Sequence, residues 1–386
     1  MSSAETSLAQ KVQFLLRNDS YSGRPDDVRA VETHMSWVFL AGDKAYKLKK
    51  PLKLAYLDFS TLAKREAACR AEIALNRRLA GQIYRDVVPL CRTPQGLRLG
   101  DGGPAIEWLV VMRRLDLSLM LDAQIAMHSV DRDRIRALEG ALTDFYHRAR
   151  PIFTTPAKYL AKWHRLVNAN RLVLLNPKLN MPQGSVLRAD HAQQRFLARF
   201  GTMLVRRLQR QKIVDAHGDL RPEHIWLGTP LSIIDCLEFN SEFRAVDPFD
   251  EISYLAIECE RLGDAEAGRR IVRKLSRTLL DSMPPELLAF YRCYRATLRA
   301  NLSISHLLEE TPRTPEKWRP LALRYLHVAR REAEKLEQMF NRRAGRRAAG
   351  LHAADGSLRR TGSTRRGCRS SPGAVCQRRG TAAPYR

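Results

Sequence analysis

What the 386-residue chain lacks narrows its class before any motif is read. No apolar run approaches the roughly 20 residues that a bilayer-spanning helix needs, so no membrane role is expected. The seven cysteines (Cys69, Cys91, Cys236, Cys259, Cys293, Cys368 and Cys376) are odd in number, scattered, and form no CxxC pair. That pattern gives neither a disulfide framework nor a cysteine zinc site. The opening Met1-Ser2-Ser3-Ala4-Glu5 has none of the basic-then-apolar pattern of a secretory signal, and a reduced cytoplasm is the expected setting. Aromatic residues make up only 7%. No zinc-finger spacing, aromatic-basic RNA motif or helix-turn-helix pattern occurs, so nucleic acid is not the expected partner.

Acidic residues are also scarce, 41 against 66 lysines and arginines, for a net charge of +25. The excess is uneven. Beyond Phe340 twelve arginines face a single acid, Asp355, and this Arg/Gly/Ser/Ala-rich stretch, 341–386, has almost no apolar periodicity and reads as disordered. The rest is moderately basic, which suits phosphate-bearing ligands and solubility alike. With 44% hydrophobic residues the remainder can bury a substantial core.

Within that remainder the pattern changes once. Val28–Val31, Trp37–Leu40 and Ala45–Leu48 read as strands, with a turn at Ala41-Gly42-Asp43-Lys44 and a stop at Pro51. Leu62–Leu79 has helical spacing, and Val87–Cys91 and Glu107–Met112 complete a small sheet in β-β-β-α-β-β order. After Leu115 helices dominate, notably Asp131–Arg148 and Asp190–Arg210, and again from Pro248 to about Met339. Short β-like pieces, Ile225-Trp226-Leu227 and Leu231–Ile234, interrupt them. The expected division is therefore a first lobe over 1–115, a second over 116–340 and a tail over 341–386.

The interrupted segment carries the chemistry-bearing side chains. Asp219 follows the strand-like Ile213-Val214, where a loop can present a carboxylate, and Arg221 stands two residues on. Sixteen residues after Asp219, Asp235 ends the apolar run Ile233-Ile234. An acid at the end of a buried strand is costly unless it is paired or binds a metal. Phosphoryl transfer needs such parts: a cation on the phosphates, carboxylates for a divalent ion, and a carboxylate that positions the acceptor.

His217-Gly218-Asp219-Leu220-Arg221-Pro222-Glu223-His224 resembles the HGDLxxxN loop of the aminoglycoside phosphotransferase-like kinases, and is similar to HRDLKPEN of eukaryotic protein kinases. Ile234-Asp235 resembles the strand-end, DFG-type metal aspartate. Asp247-Pro248-Phe249-Asp250-Glu251-Ile252 resembles the GDPxxDLA segment that follows it, and Asp250 is read as its loop-bracing acid. The ordered set spans roughly Val28 to Gly263 and is similar to a bacterial branch sometimes fused to a P-loop ATPase module; no GxxxxGK[ST] occurs in this chain. The resemblance implies an α+β, bilobal protein-kinase-like fold, with a small antiparallel β lobe and a larger, mainly helical lobe. It implies ATP-dependent transfer of phosphate to the hydroxyl of a small-molecule acceptor.

By the same resemblance Lys47 would hold the nucleotide phosphates, although Lys49 shares its strand face, and Glu72 would pair with the lysine. Asp219 would orient the acceptor, with Arg221 a γ-phosphate contact. The adenine would lie near Glu107–Leu115, with Met112 in contact. Asp235 would hold Mg2+ or Mn2+. Two departures stand out. Thr33, His34, Met35 and Ser36 replace the glycine-rich loop, so the hydroxyls of Thr33 and Ser36 and backbone N–H groups would meet the phosphates. His224 replaces the asparagine that usually ligates magnesium, with Glu238 as a compensating ligand. A protein-directed kinase or nucleotidyltransferase, a nucleotide-binding pseudokinase and a basic nucleic-acid-associated protein are the other readings. His34, His147, His164 and His306 lack ligand spacing and read as surface or core histidines. The sequence carries no signal that sets an oligomeric state.

Overall fold

The computed structural model describes residues 6–54 and 56–360, with side chains as far as 342. Among the described residues, those up to Glu337 form one compact unit and those from Gln338 a second.

In the first unit, helix α1 (Leu8–Leu15) precedes strands β1 (Val28–Glu32), β2 (Ser36–Ala41) and β3 (Lys44–Lys49). A short ladder, β4 (Lys53–Leu54) and β5 (Leu57–Asp58), leads to helix α2 (Leu62–Ala80), then to β6 (Tyr84–Thr93), β7 (Gly96–Leu99) and β8 (Ala105–Arg113). The six long strands make one antiparallel sheet in the order β1-β2-β3-β8-β6-β7. Alternation explains the sheet's inner face. Phe39, Tyr46, Leu48, Leu90 and Leu109 pack with Val12, Leu15 and Tyr21. At the other face α2, capped by the Thr61 hydroxyl, buries Cys69, Ile73 and Ala80 against Tyr84 and Val110. The expected β-β-β-α-β-β order holds among the long strands, with β7 an addition.

The helical part follows: α3 (Leu121–Ala126), α4 (Arg132–Arg148), α5 (Pro156–Leu174) and α6 (Gln183–Gln209). Four two-residue strands come next, β9 (Val214–Asp215), β10 (Ile225–Trp226), β11 (Ser232–Ile233) and, after the short helix α7 (Ser241–Arg244), β12 (Ala245–Val246). β10 pairs with β11 and β9 with β12, both antiparallel. Helices α8 (Pro248–Arg261), α9 (Ala265–Thr278), α10 (Pro285–Ser305) and α11 (Pro315–Arg360) complete it. Pro248 takes the first turn of α8, and the Asp247 carboxylate accepts from the Phe249 N–H. Every residue of α8 from Pro248 to Cys259 is buried, which makes it the axis of this part. Trp163, Phe196, Phe290 and Tyr294 form the aromatic core beside it, Phe196 and Phe290 stacked at 4.2 Å. The bilobal α+β arrangement implied by the resemblance is the one observed.

Two boundaries differ from the sequence reading. α6 begins at Gln183 rather than Asp190, and α5 lies where no separate helix was read. α11 runs on to Arg360, through residues 341–360 that read as disordered; alanine and arginine are strong helix formers even without an apolar stripe. Residues 361–386 of that tail lie outside the described residues. Among the described residues no helix is long and apolar enough to cross a membrane, and the five described cysteines are free and buried.

Candidate active site

The site is assembled from α2, β3, the 217–224 loop and the segment after β11. On α2 the buried face that carries Cys69 and Ile73 also carries Glu72 and Asn76, because positions i, i+3, i+4 and i+7 share a side of a helix. β3 runs past it with Lys47 and Lys49 on one face, and both reach Glu72. Lys47 Nζ donates to Glu72 Oε1 at 2.9 Å and to Asp235 Oδ1 at 2.6 Å. Lys49 Nζ donates to Glu72 Oε2 at 2.6 Å and to Glu238 Oε1. The two lysines differ in access: the Lys47 side chain is 15% exposed and ends at a half-open carboxylate, whereas Lys49 is 1% exposed. Burial works against the Lys47 charge, but Asp235 and Glu72 more than offset it and raise its pKa well above the usual lysine value.

Asp235 adopts a left-handed backbone conformation, φ +62°, uncommon outside glycine but tolerated by Asp and Asn. Two side chains hold it there. The Asp235 N–H donates to the Tyr84 hydroxyl at 3.1 Å, and the Cys236 N–H to Asn76 Oδ1 at 2.9 Å. Burial would push the Asp235 carboxyl up, yet Lys47 holds it well below the ordinary range.

The 217–224 loop is fixed by its own hydrogen bonds. Gly218 has φ +90°, and a Cβ there would sit 3.0 Å from Leu237 Cδ1 and 3.2 Å from Arg244 Cγ, so the position requires glycine. His217 Nε2 lies 2.9 Å from the Ile234 carbonyl, and its Nδ1 accepts from the Asp219 N–H at 3.3 Å. A carbonyl can only accept, so the proton sits on Nε2 and the ring is neutral. Burial accordingly pushes the His217 pKa down to about 4. Asp219 Oδ1 accepts from the Tyr254 hydroxyl and Oδ2 from Arg221 Nε, each at 3.1 Å. Burial would raise the Asp219 pKa, but Arg221 outweighs it and keeps the group an anion.

His224 Nδ1 lies 2.9 Å from the Asp219 carbonyl oxygen, so Nδ1 carries the proton there. Nε2 is then an acceptor; Arg221 Nη2 donates to it at 3.0 Å, and Asp235 Oδ2 stands 3.5 Å away. An unprotonated imidazole nitrogen facing a carboxylate oxygen is a donor set that fits a divalent cation, with Mn2+ more at ease beside nitrogen than Mg2+.

Six of the residues singled out in the sequence thus meet: Lys47, Glu72, Asp219, Arg221, His224 and Asp235. Glu238 is 8% exposed and engaged by Lys49. Among the described residues no third carboxylate or imidazole joins Asp235 and His224 with ligand atoms all within 4.8 Å of one another. The Thr33 hydroxyl is engaged within the β1–β2 turn, donating to the Ser36 carbonyl and accepting from the Ser36 N–H, both at 2.9 Å; Ser36 is buried. Met112 packs beside the Cys69–Tyr84 cluster, together with Ile234. Glu107 is a buried anchor, bound by Lys11 at 2.8 Å and Arg65 at 2.7 Å.

One assignment is corrected. Asp250 does not brace the 217–224 loop; it forms a bidentate pair with Arg295, both contacts at 2.7 Å. Its neighbour Glu251 does the bracing, accepting from the Gly218 N–H at 2.5 Å, the His217 N–H at 3.3 Å and the Tyr146 hydroxyl at 2.8 Å. The spacing Asp-Pro-x-x-acid counted from Asp247 ends on Glu251, not Asp250, so the signal was present one residue along. Tyr84, Asn76 and Tyr254 were not found from the sequence, where a lone Tyr or Asn carries no periodic signal.

No family model matches the chain. It is 32% identical over 311 residues, 78% of its length, to uncharacterized proteins of Mycobacterium bovis and Mycobacterium tuberculosis. The chain spans about 59% of the length of those relatives. Among solved structures, choline kinase from Cryptosporidium parvum aligns at TM-score 0.49 and 10% identity, over 85% of this chain and 96% of that one. A choline/ethanolamine kinase family protein from Mesorhizobium loti aligns at 0.47 and 15%, over 84% and 94%. A GDP and kanamycin complex of an aminoglycoside phosphotransferase aligns at 0.44 and 17%, over 86% and 98%. At TM-scores below 0.5 these likenesses decide nothing by themselves.

Proposed function

We propose that this chain is an ATP-dependent phosphotransferase of the aminoglycoside phosphotransferase-like branch of the protein-kinase-like superfamily, transferring a γ-phosphate to a hydroxyl of a small-molecule acceptor. The observation that carries the reading is the convergence, from four separate segments, of the Lys47–Glu72 pair, the Asp235–His224 pair and the Asp219–Arg221 pair. Each supplies a part that phosphoryl transfer needs, and positioning with electrostatics does most of the work in such chemistry. Lys47, freed from Asp235 by a nucleotide, would contact the α- and β-phosphates while Glu72 keeps it in place. A divalent cation held by Asp235 and the His224 Nε2 would neutralise charge on the β- and γ-phosphates. Asp219, an anion at neutral pH, would accept a hydrogen bond from the acceptor hydroxyl and align it with the γ-phosphorus. Arg221, two residues on, would turn from Asp219 toward the transferring phosphoryl group.

A second reading has its own observation. Asp219 is engaged by Arg221, and the usual asparagine is His224, an arrangement that also suits a nucleotide-binding protein without turnover. The test is ATP turnover against a panel of hydroxyl metabolites, with Mg2+ and with Mn2+, for the wild type, Asp219→Asn and His224→Asn. Turnover that Asp219→Asn abolishes, with nucleotide affinity kept, supports the enzyme. Nucleotide binding without turnover in either metal, unrestored by His224→Asn, selects the second reading. Undiminished turnover by Asp219→Asn refutes the site.

A further inference from the structure

We infer that the turn between β1 and β2 carries one half of a transition-metal site whose other half is the junction between α10 and α11. The histidines involved, His34 and His306, are 272 positions apart in the chain and read as unconnected in the sequence. The fold places them in one cavity of about 250 Å³, together with Glu309, Glu32, Arg313 and Trp318. One ligand atom from each of His34, His306 and Glu309 lies within 4.8 Å of the others.

The distances suit a small ion. His34 Nδ1 is 3.4 Å from Glu309 Oε1, and His306 Nδ1 is 2.6 Å from the same oxygen. Tetrahedral zinc with metal–ligand bonds of about 2.0–2.1 Å separates its ligand atoms by about 3.3 Å. The first contact already has that separation, and the second reaches it by opening about 0.7 Å as the shared proton leaves. The rings stand nearly perpendicular, 84° apart at 6.0 Å between centroids, so both can direct a nitrogen at one point. His306 is held in orientation by stacking on Trp318 at 3.9 Å, and the Trp318 N–H donates to the Arg313 carbonyl at 2.7 Å. Arg313 in turn pairs with Glu32 at 3.2 Å, so the two halves of the site are joined beside it as well as through it.

Two imidazoles and one carboxylate select zinc or a neighbouring late first-row ion over magnesium or calcium, which prefer all-oxygen shells. Three protein ligands leave a fourth position for water. The chief consequence is mechanical: an ion here ties the β1–β2 turn of the sheet to the end of α10 in the helical part. Its three ligands are none of the six side chains brought together at the candidate active site, although Thr33 lines the same cavity, so a metal titration tests it separately from that proposal.

The experiment uses the untagged full chain, stripped of metal. It is titrated with Co2+, whose tetrahedral complexes absorb in the visible, then back-titrated with Zn2+ against a chromophoric chelator. The expected result is one equivalent with tetrahedral cobalt bands, displaced by Zn2+. His34→Ala and His306→Gln each weaken binding by roughly a hundredfold or more, while His147→Ala, at an exposed position of α4, leaves it unchanged. His34 lies on an exposed turn, so an unchanged thermal midpoint of metal-free His34→Ala shows that loss of binding is not loss of fold. Absence of a saturable one-to-one complex, or binding indifferent to both His34→Ala and His306→Gln, overturns the inference.

Discussion

Replacing each of the two β3 lysines with methionine tests whether Lys47 is the phosphate-binding cation proposed above and Lys49 a structural one, although the two share a strand face and a carboxylate partner. Lys49 is 1% exposed and is the cation that meets Glu238, itself 8% exposed, as well as Glu72 Oε2. Lys49→Met preserves volume but leaves the buried Glu238 carboxylate without that partner and halves the charge opposite Glu72. Breaking a buried pair from one side costs about 3–5 kcal/mol, a fifth or more of a typical stability of about 5–15 kcal/mol. Lys47→Met is milder. Glu72 keeps Lys49, and Asp235, 43% exposed, can turn to water; about 1 kcal/mol is expected, the upper end for an exposed pair. Turnover should respond in the opposite order, with Lys47→Met lowering kcat by about 10²–10³-fold through lost phosphate contact. Urea unfolding followed by circular dichroism, with turnover measured on the same preparations, reads both. If Lys49→Met unfolds at the wild-type urea midpoint, or Lys47→Met is the less stable variant, the division of roles drawn from their exposures is wrong.

Four further outcomes follow from the loop, its brace and the acid beside that brace. Glu251→Ala should cut turnover by more than tenfold, because the Gly218 and His217 N–H groups lose their acceptor; Asp250→Ala should cost about 3–5 kcal/mol in urea unfolding through the stranded Arg295. Gly218→Ala should lose about 2 kcal/mol or more and most activity, since it combines a left-handed φ with a 3.0 Å contact to Leu237. His217 has a folded pKa of about 4 against about 6.5 unfolded. Between those values the unfolded chain binds the extra proton, so this group's contribution of about 3 kcal/mol is present above pH 6.5 and is lost as pH falls toward 4. Below pH 4 no further loss comes from it. Unfolding free energies across pH 4–7, with the imidazole followed by NMR, check the window; a His217 that titrates near 6.5 in the folded protein refutes it.

The sequence by itself determined what local rules govern. Alternation and turn residues set the sheet from Val28 to Met112, apolar spacing set most helices, and Pro248 marked the start of α8. The ordered motifs at Asp219, Asp235 and Asp247 located the loops of the site, because such residues are close in the chain to the strand ends that present them. What required tertiary structure was anything decided by burial or by contacts across the chain. Lys47 and Lys49 look alike on a strand, and only the packing of α2 and the 235–238 segment leaves one at the cleft and seals the other. Asp250 and Glu251 are adjacent acids on α8, 100° apart around the helix axis, so which one faces the Gly218 amide and which faces Arg295 depends on what packs on each side. Tyr84, Asn76 and Tyr254 acquire roles only because the fold brings backbone amides and the Asp219 carboxylate to them. His34 and His306 had no ligand spacing to read, since a metal site depends on distance in space, and the chain returns to the β1–β2 turn only after nearly all of the helical part has been laid down.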